Sequence, residues 1–187
     1  TTATPDGQVA HRAGRMIPNG WHHRAIGELT REIKSGLSRK LSDADIGLPM
    51  VRSTTIGKDG QLEFADGRYW HLDDPQGANT RDYVLEPGDL LVNFINSTAQ
   101  IGKCALYQGE LGRQAIYTTN IFRVRVNNWI LEEYFLLLTM TDVYAHYVRS
   151  ITKPAVNQAS FTKADFLRLR FAVPPLPAQR KIAGILT

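Results

Sequence analysis

Side chains that donate or accept several hydrogen bonds are grouped in five segments of this chain, each lying between apolar runs. Arg and Lys can bind the edge of guanine, Asn and Gln can bind adenine, and Ser, Thr and Lys can hold phosphates. The segments therefore have the chemistry that contact with a nucleic-acid duplex would need. The candidate contact residues are Lys34, Ser38, Arg39, Lys40, Arg52, Thr54, Asn96, Thr98, Gln100, Lys103, Asn120, Lys153, Asn157 and Gln158.

The segment from Lys34 to Lys40 has the composition of a phosphate clamp, because hydroxyl groups and cations surround Gly36. Arg52 stands beside three hydroxyl-bearing residues, Ser53-Thr54-Thr55. Each segment also has the composition of an ordinary turn, since Asn, Ser and Thr cap and bend chains in every class of protein. The sequence leaves both interpretations open.

Residues with the spacing of an enzyme active site are scarce. The sequence has no Gly-rich phosphate loop followed by Lys and Ser or Thr, no Asn-Pro-Pro-aromatic methyltransferase motif and no paired-cysteine metal site. Pro5-Asp6 followed by Glu32-Ile33-Lys34 matches a nuclease pattern by letter. A metal-dependent nuclease needs carboxylates that are held rigidly around the ion, and Asp6 lies in a polar stretch without periodicity. We attribute this match to chance.

Histidine and hydroxyl side chains offer only weaker alternatives. His22 and His23 would point to opposite faces of a strand, and no third metal ligand accompanies them. Ser97 and Thr98 have no recognisable base partner. His71 with Asp73 is the one enzymatic alternative that we retain. We predict no catalytic residue, no metal and no cofactor in this chain.

Composition predicts an ordinary globular domain with a polyanionic partner. The 187 residues are 43% hydrophobic, and the net charge of +4 modestly favours a partner such as DNA. The single cysteine, Cys104, lies in an apolar run and is expected to be a small buried side chain. The apolar stretch at Phe135–Leu138 is far shorter than the roughly twenty residues of a membrane span. We therefore expect a cytoplasmic protein.

Apolar runs bounded by turn residues predict the strands. They lie at Pro49–Ile56, Leu90–Ile95, Lys103–Tyr107, Ile121–Val126 and Leu169–Val173. In the fourth run, Phe122, Val124 and Val126 alternate with Arg123 and Arg125. Because successive side chains of a strand point to opposite faces, this run predicts one apolar face and one solvated, basic face.

Apolar residues at spacings of three and four predict the helices. The predicted helices are Leu131–Thr141, Asp142–Arg149, a short helix capped by Thr162 with Asp165 three residues later, and a helix that starts near Pro177. Proline suits the first turn of a helix, where its missing N–H would have no partner. This last helix carries Ile182, Ile185 and Leu186 on a stripe that needs a partner.

The last of these elements resembles a known family. The segment PPLPAQRKIAGIL after a short strand is similar to the segment that leads out of a target recognition domain in the specificity subunits of type I restriction-modification systems. The resemblance covers nearly everything from Pro18 onward. It includes Trp21–Gly36, Leu85–Asn96, Ile101–Tyr107, Thr118–Arg125 and Ala155–Phe161.

The resemblance implies a mixed α/β (α+β) fold, with a twisted, mostly antiparallel or mixed β-sheet, packed helices and the start of a C-terminal spacer helix. Residues 1–17 would be a disordered arm, a linker or a remnant of cloning, residues 18–173 the target recognition domain, and residues 174–187 the start of the spacer helix. Gly88, Asp89 and Gly102 would belong to the framework.

The function implied by the resemblance is binding to one half of a bipartite double-stranded DNA site. A methyltransferase subunit that uses S-adenosylmethionine and a restriction subunit that uses ATP would be the partners and would carry the catalysis. Because the chain has the length of one recognition domain, it could be a fragment, a truncated product or a half subunit that pairs through its C-terminal helix. Two alternatives remain: the recognition module of a fused restriction-modification enzyme, and a degenerate assembly or inhibitor module without DNA binding.

Overall fold

Strands and helices are mixed along the whole described chain, which in this computed structural model comprises residues 17–57, 59–64, 67–155 and 158–186. The strands are β1 His22–Ala25, β2 Thr30–Ser35, β3 Gly47–Val51, β4 Tyr69–His71, β5 Leu90–Asn93, β6 Ile95–Asn96, β7 Cys104–Leu106, β8 Ile116–Tyr117, β9 Ile121–Val126, β10 Lys153–Pro154, β11 Ala159–Ser160 and β12 Arg170–Val173. The α-helices are α1 Ile26–Leu29, α2 Glu132–Thr139, α3 Asp142–Ile151, α4 Lys163–Arg168 and α5 Leu176–Leu186.

The central sheet is antiparallel and has the strand order β2-β9-β5-β7. A second sheet, β4-β3-β8, is mixed, because β3 runs parallel to β8 and antiparallel to β4. The third sheet joins the hairpin β10-β11 to β6, and β1 pairs with β12 near the two ends of the described chain. The predicted α+β class with a mostly antiparallel or mixed sheet is confirmed.

The predicted helices are present, with boundaries shifted by one or two residues. Thr162 accepts a hydrogen bond from the backbone N–H of Asp165 at 3.1 Å, which is the cap that begins α4. Thr141 caps α3 in the same way through the N–H of Tyr144. Pro177 lies in the first turn of α5, as predicted. No helix of the described residues has the length and apolar composition needed to cross a membrane.

Strand β9 was assigned correctly, but the prediction that one of its faces is basic and solvated is wrong. One face contributes Phe122 and Val124 to the main apolar cluster, which the helices cover. The other face lies against a second apolar cluster that includes Leu91 and Tyr117. Arg123 is only 3% exposed, because this second cluster and its loops cover the face that the alternation assigned to solvent.

The two arginines of β9 are neutralised by a group of carboxylates. Arg123 pairs with Glu32 and donates a hydrogen bond from Nη1 to the carbonyl oxygen of Val84 at 3.0 Å. Arg125 lies 2.6 Å from Asp89 and 3.1 Å from Glu86. Buried charges of this kind are tolerated only when they are paired and hydrogen-bonded.

The carboxyl group of Glu32 shows the effect of this pairing. Burial raises its pKa, but the hydrogen bond and the charge of Arg123, together with Arg125 and Lys34, outweigh the burial. The pKa of Glu32 therefore lies below its usual range, and the carboxylate stays charged at neutral pH.

Cys104 is buried in β7, as predicted from its apolar run. Burial raises the pKa of its thiol to about 12. The thiol is therefore neutral under physiological conditions and contributes to packing.

A buried side chain, Gln179, bonds the start of α5 to the domain. Gln179 is fully buried, and its Oε1 accepts a hydrogen bond from the backbone N–H of Leu131 at 2.8 Å. Its Nε2 donates to the carbonyl oxygens of Trp129 and Pro174 at 2.9 and 2.8 Å. The glutamine of the proline block thus fixes the direction in which α5 leaves the sheet.

We predict that Arg123→Ala lowers the free energy of unfolding by about 3 kcal/mol, because it leaves Glu32 and Val84 without their buried partner. Arg168→Ala is the matched control, since Arg168 forms an exposed ion pair with Asp165, and it should cost about 0.5 kcal/mol or less. Urea denaturation of the two variants measures both values. Equal losses would mean that the buried ion pair does not stabilise the fold.

Candidate nucleic-acid interface

Four of the predicted segments, which are far apart in sequence, meet at two adjoining clefts. The first cleft has a volume of about 240 Å³ and is lined by Leu37, Ser38, Arg39, Arg52, Ser53, Thr54, Thr118, Thr119 and Asn120. The second cleft, of about 470 Å³, is lined by Ser53, Thr54, Ile56, Gly57, Asp59, Glu63, Asn96, Gln100 and Lys103. Ser53 and Thr54 line both clefts, so the two form one polar surface, which we call the polar face.

Backbone hydrogen bonds hold the loops of the polar face together. The N–H of Thr118 donates to the carbonyl oxygen of Val51 at 3.0 Å, and the N–H of Thr119 donates to that of Leu37 at 3.1 Å. Gly36 allows this approach, because a Cβ atom at its position would collide with the carbonyl oxygen of Tyr117. The loops are therefore fixed by main-chain groups.

A buried amide positions the short 3₁₀-helix Ser53–Thr55 at the centre of the polar face. Asn93, at the end of β5, is fully buried and donates a hydrogen bond from Nδ2 to the carbonyl oxygen of Ser53 at 3.0 Å. Thr55 closes the same turn, since its hydroxyl group donates to the carbonyl oxygen of Arg52 at 2.7 Å. Thr54 lines both clefts from this turn.

The fifth predicted segment borders the second cleft. Strand β11 pairs with β6, so that Ala159 is opposite Asn96, and Lys153 and Gln158 are exposed on the adjoining hairpin. Asn157 lies outside the described residues. Lys40 and Thr98 do not line either cleft.

Arg39 has structural partners, which the sequence did not predict. Its Nε and Nη2 donate to Oδ2 of Asp74 at 2.9 and 2.5 Å, and its Nη1 donates to the carbonyl oxygen of Ser38 at 2.8 Å. The hydrogen bond from Arg39 is the main cause that lowers the pKa of Asp74. The pair fixes the loop that carries Ser38 at the rim of the first cleft.

Lys34 lies in β2, although the sequence suggested a loop. Its ammonium nitrogen lies 3.8 Å from Asp82 and 4.1 Å from the ring centroid of Tyr83. It does not line either cleft. Its role as a phosphate ligand stays a prediction, and these contacts give it a second, structural explanation.

The structure adds residues that the sequence-based candidates did not include. Ser53, Thr118 and Thr119 line the first cleft, and their place in the same polar segments was the available signal. Asp59 and Glu63 also line the second cleft. They were not candidates, because carboxylates are not expected to bind a polyanion. No cluster of three His, Cys, Asp or Glu side chains that could hold a metal ion is present in the described ranges.

The predicted framework residues have structural roles. Gly88 and Gly102 have positive φ angles of 97° and 82°. Asp89 is 2% exposed, accepts a hydrogen bond from the N–H of Glu86 at 2.8 Å and pairs with Arg125. The turns before β5 and β7 therefore need glycine for their backbone conformation, and the turn before β5 needs Asp89 to neutralise Arg125.

One protein family matches nearly the whole chain. Its model, described as the type I restriction modification DNA specificity domain, matches residues 18–187. The chain belongs to this family. The resemblance that the proline block and the preceding segments predicted is thus confirmed, and the polar face lies within the matched region.

A curated relative supports the same assignment. The putative type I restriction enzyme MjaX specificity subunit of Methanocaldococcus jannaschii is 31% identical over 172 residues, which are 91% of this chain and 40% of that protein. This specificity domain therefore spans well under half the length of the relative.

Solved structures share the fold. A chain from a study of complex assembly and conformational transition of the type I R-M system matches 96% of this domain with a TM-score of 0.65 and 24% identity, over 40% of its own length. The HsdS subunit from Thermoanaerobacter tengcongensis matches 94% with a TM-score of 0.63 and 22% identity, over 38% of its length. The S subunit from M. genitalium matches 91% with a TM-score of 0.59 and 10% identity, over 40% of its length.

We predict that Asp74→Asn destabilises the domain at neutral pH and that this effect disappears in acid. Because the folded-state pKa of Asp74 is lowered from 3.8, its charged form stabilises the fold above that pH, and this stabilisation is lost as the pH falls through the folded-state pKa. Urea denaturation at pH 7 and at a pH well below 3.8 measures the difference between the variant and the original protein. Asp73→Asn, at the exposed neighbouring position, is the control and should differ little at either pH.

A difference between the Asp74→Asn variant and the original protein that stays constant with pH would contradict this prediction. The stabilising role of Asp74 would then be independent of its charge.

Proposed function

We propose that this chain is a target recognition domain that binds one half of a bipartite DNA sequence through the polar face. The observation that supports this most is the meeting of four separate polar segments at two adjoining clefts, within a chain of the DNA specificity family. Amides, hydroxyls, two guanidinium groups and one ammonium group line these clefts. This set can contact base edges and phosphates in one groove.

The positions of the side chains suggest a division of labour. Arg52, Asn120 and Gln100 line the clefts and carry the donors and acceptors that read base edges. Lys40 and Lys153 lie outside the clefts, where cations contact the phosphate backbone. Ser38, Thr54 and Thr98 carry hydroxyl groups that bind phosphate or base.

Catalysis and assembly are assigned to other parts of a larger system in this proposal. The chain covers 40% of its M. jannaschii relative, so it corresponds to one recognition unit. A methyltransferase subunit with S-adenosylmethionine and an ATP-dependent restriction subunit would act at the site that this domain selects. Ile185 and Leu186 at the end of α5 are 72% and 64% exposed, which suits pairing of this helix with a spacer helix or with a second copy.

Selection of the protein against a randomised DNA duplex pool at low salt tests sequence recognition. We expect enrichment of a short motif of about three to five base pairs, since each correct base contact contributes about 1 to 3 kcal/mol. Retention of no sequence above background would contradict the proposal. The domain would then need a second recognition unit for binding, or it would be an assembly module that acts through α5.

We predict that Lys40→Ala weakens binding to all duplexes alike and reduces the slope of log K against log salt by about one, because Lys40 is exposed outside the clefts and one phosphate contact is lost. Lys181→Ala is the control, since Lys181 is exposed on α5 and lines neither cleft. Titration at several salt concentrations measures both slopes. Equal slopes for the two variants would remove Lys40 from the set of phosphate contacts.

A further inference from the structure

Two carboxylates lie in the second cleft beside groups that suit DNA. Asp59 and Glu63 line it together with Asn96, Gln100 and Lys103. A carboxylate near a phosphate is repelled, at about 1 kcal/mol for charges 4 Å apart in water. Their presence in a cleft of the polar face therefore favours contact with base edges over contact with the backbone.

The two clefts differ in charge. Arg39 and Arg52 line the first cleft, and none of its described lining residues is a carboxylate. In the second cleft, the two carboxylates outnumber the one cation among the described lining residues, Lys103. Within the described ranges, neither carboxylate takes part in an ion pair. The second cleft thus offers hydrogen-bond acceptors to a ligand that presents donors.

The backbone of Glu63 is bonded to the turn at the centre of the polar face. Its backbone N–H donates to the carbonyl oxygen of Thr55 at 2.8 Å, which ties it to the 3₁₀-helix shared by both clefts. The neighbouring Leu62 forms a bridge with Ile56. Oε1 of Glu63 and Oδ1 of Asp59 both lie close to Gly57, where an added Cβ atom would be 2.8 and 3.1 Å from them. Both side chains therefore lie against the main chain of the cleft.

We propose that Glu63 is a specificity-determining residue that accepts a hydrogen bond from the N4 amino group of a cytosine in the major groove. Cytosine presents a donor there, and Glu and Asp are the side chains that accept from it. Asp59 contributes negative charge to the same cleft without reading the base. This inference rests on the proposed function, and it names cytosine as one base that the polar face selects.

The experiment compares Glu63→Ala with Asp59→Ala, which removes the same charge from the same cleft. Each variant and the original protein are selected against the randomised duplex pool. We expect the original motif to contain a cytosine whose enrichment falls about tenfold in Glu63→Ala, with the other positions unchanged. Asp59→Ala should keep the motif and bind all duplexes more tightly, since only repulsion of phosphates is removed.

A base analogue then tests the contact itself. The enriched duplex is prepared with 2-pyrimidinone, which lacks the N4 amino group, in place of the cytosine. The original protein should lose about tenfold in affinity for this duplex, and Glu63→Ala should bind both duplexes equally, because it no longer uses the amino group. Thermal unfolding of both variants shows that they remain folded.

Several results would overturn the inference. A motif without cytosine, or a Glu63→Ala variant that binds all duplexes more tightly with unchanged preference, would refute it and leave the proposed function intact. Loss of the cytosine preference in Asp59→Ala alone would assign the role to the other carboxylate. A Mg²⁺ dependence of binding that only Glu63→Ala abolishes, with the motif retained, would show a cation ligand instead. Absence of any motif with the original protein would refute the inference and the proposed function together.

Discussion

Arg123 and Arg125 keep their charges between two apolar clusters, and much of the architecture follows from the need to neutralise them. The carboxylates that do so come from β2 and from the turn before β5. Their positions require β2 and β5 to lie on either side of β9, in the register that the sheet shows. A slip of one residue would turn both guanidinium groups to the other face and leave these carboxylates without partners. Charge pairing thus specifies the register as much as apolar packing does.

The sequence predicted the helices α2 to α5 and the faces of β9, but it did not predict which of those faces is buried. Alternation in β9 showed which side chains share a face, but it did not show that a second cluster, built around Leu91 and Tyr117, covers the face with the arginines. Periodicity is a local property, whereas burial depends on segments far away in the chain. The strands β1, β2, β4, β8, β10 and β11 were not predicted. β8, β10 and β11 have two residues each and carry no periodic signal, and the six residues of β2 include only one apolar residue, Ile33.

The same limit applies to the candidate interface. Residue types were enough to identify Ser38, Arg52, Asn96 and Gln100 as candidates, because hydrogen-bonding groups suit base edges and phosphates. Their division between two clefts could not be predicted, since it depends on contacts between loops. The pairing of Arg39 with Asp74, which is 35 residues away, was equally hidden. Acidic residues in the second cleft were overlooked because overall charge favoured cations.

The loops of the polar face are joined by hydrogen bonds between main-chain groups at Leu37, Val51, Thr118 and Thr119. Every residue type except proline can supply both kinds of group, so these bonds do not depend on the side chains at the four positions, although the loops need Gly36 for their close approach. Apart from Arg39, whose pair with Asp74 fixes its loop, exposed side chains at the rims of the clefts can therefore be exchanged while the loops keep their positions. The bonds that hold the loops are thus separate from the side chains that would contact a ligand. During evolution, single substitutions can therefore change the hydrogen-bonding groups on the polar face without producing an unfolded variant.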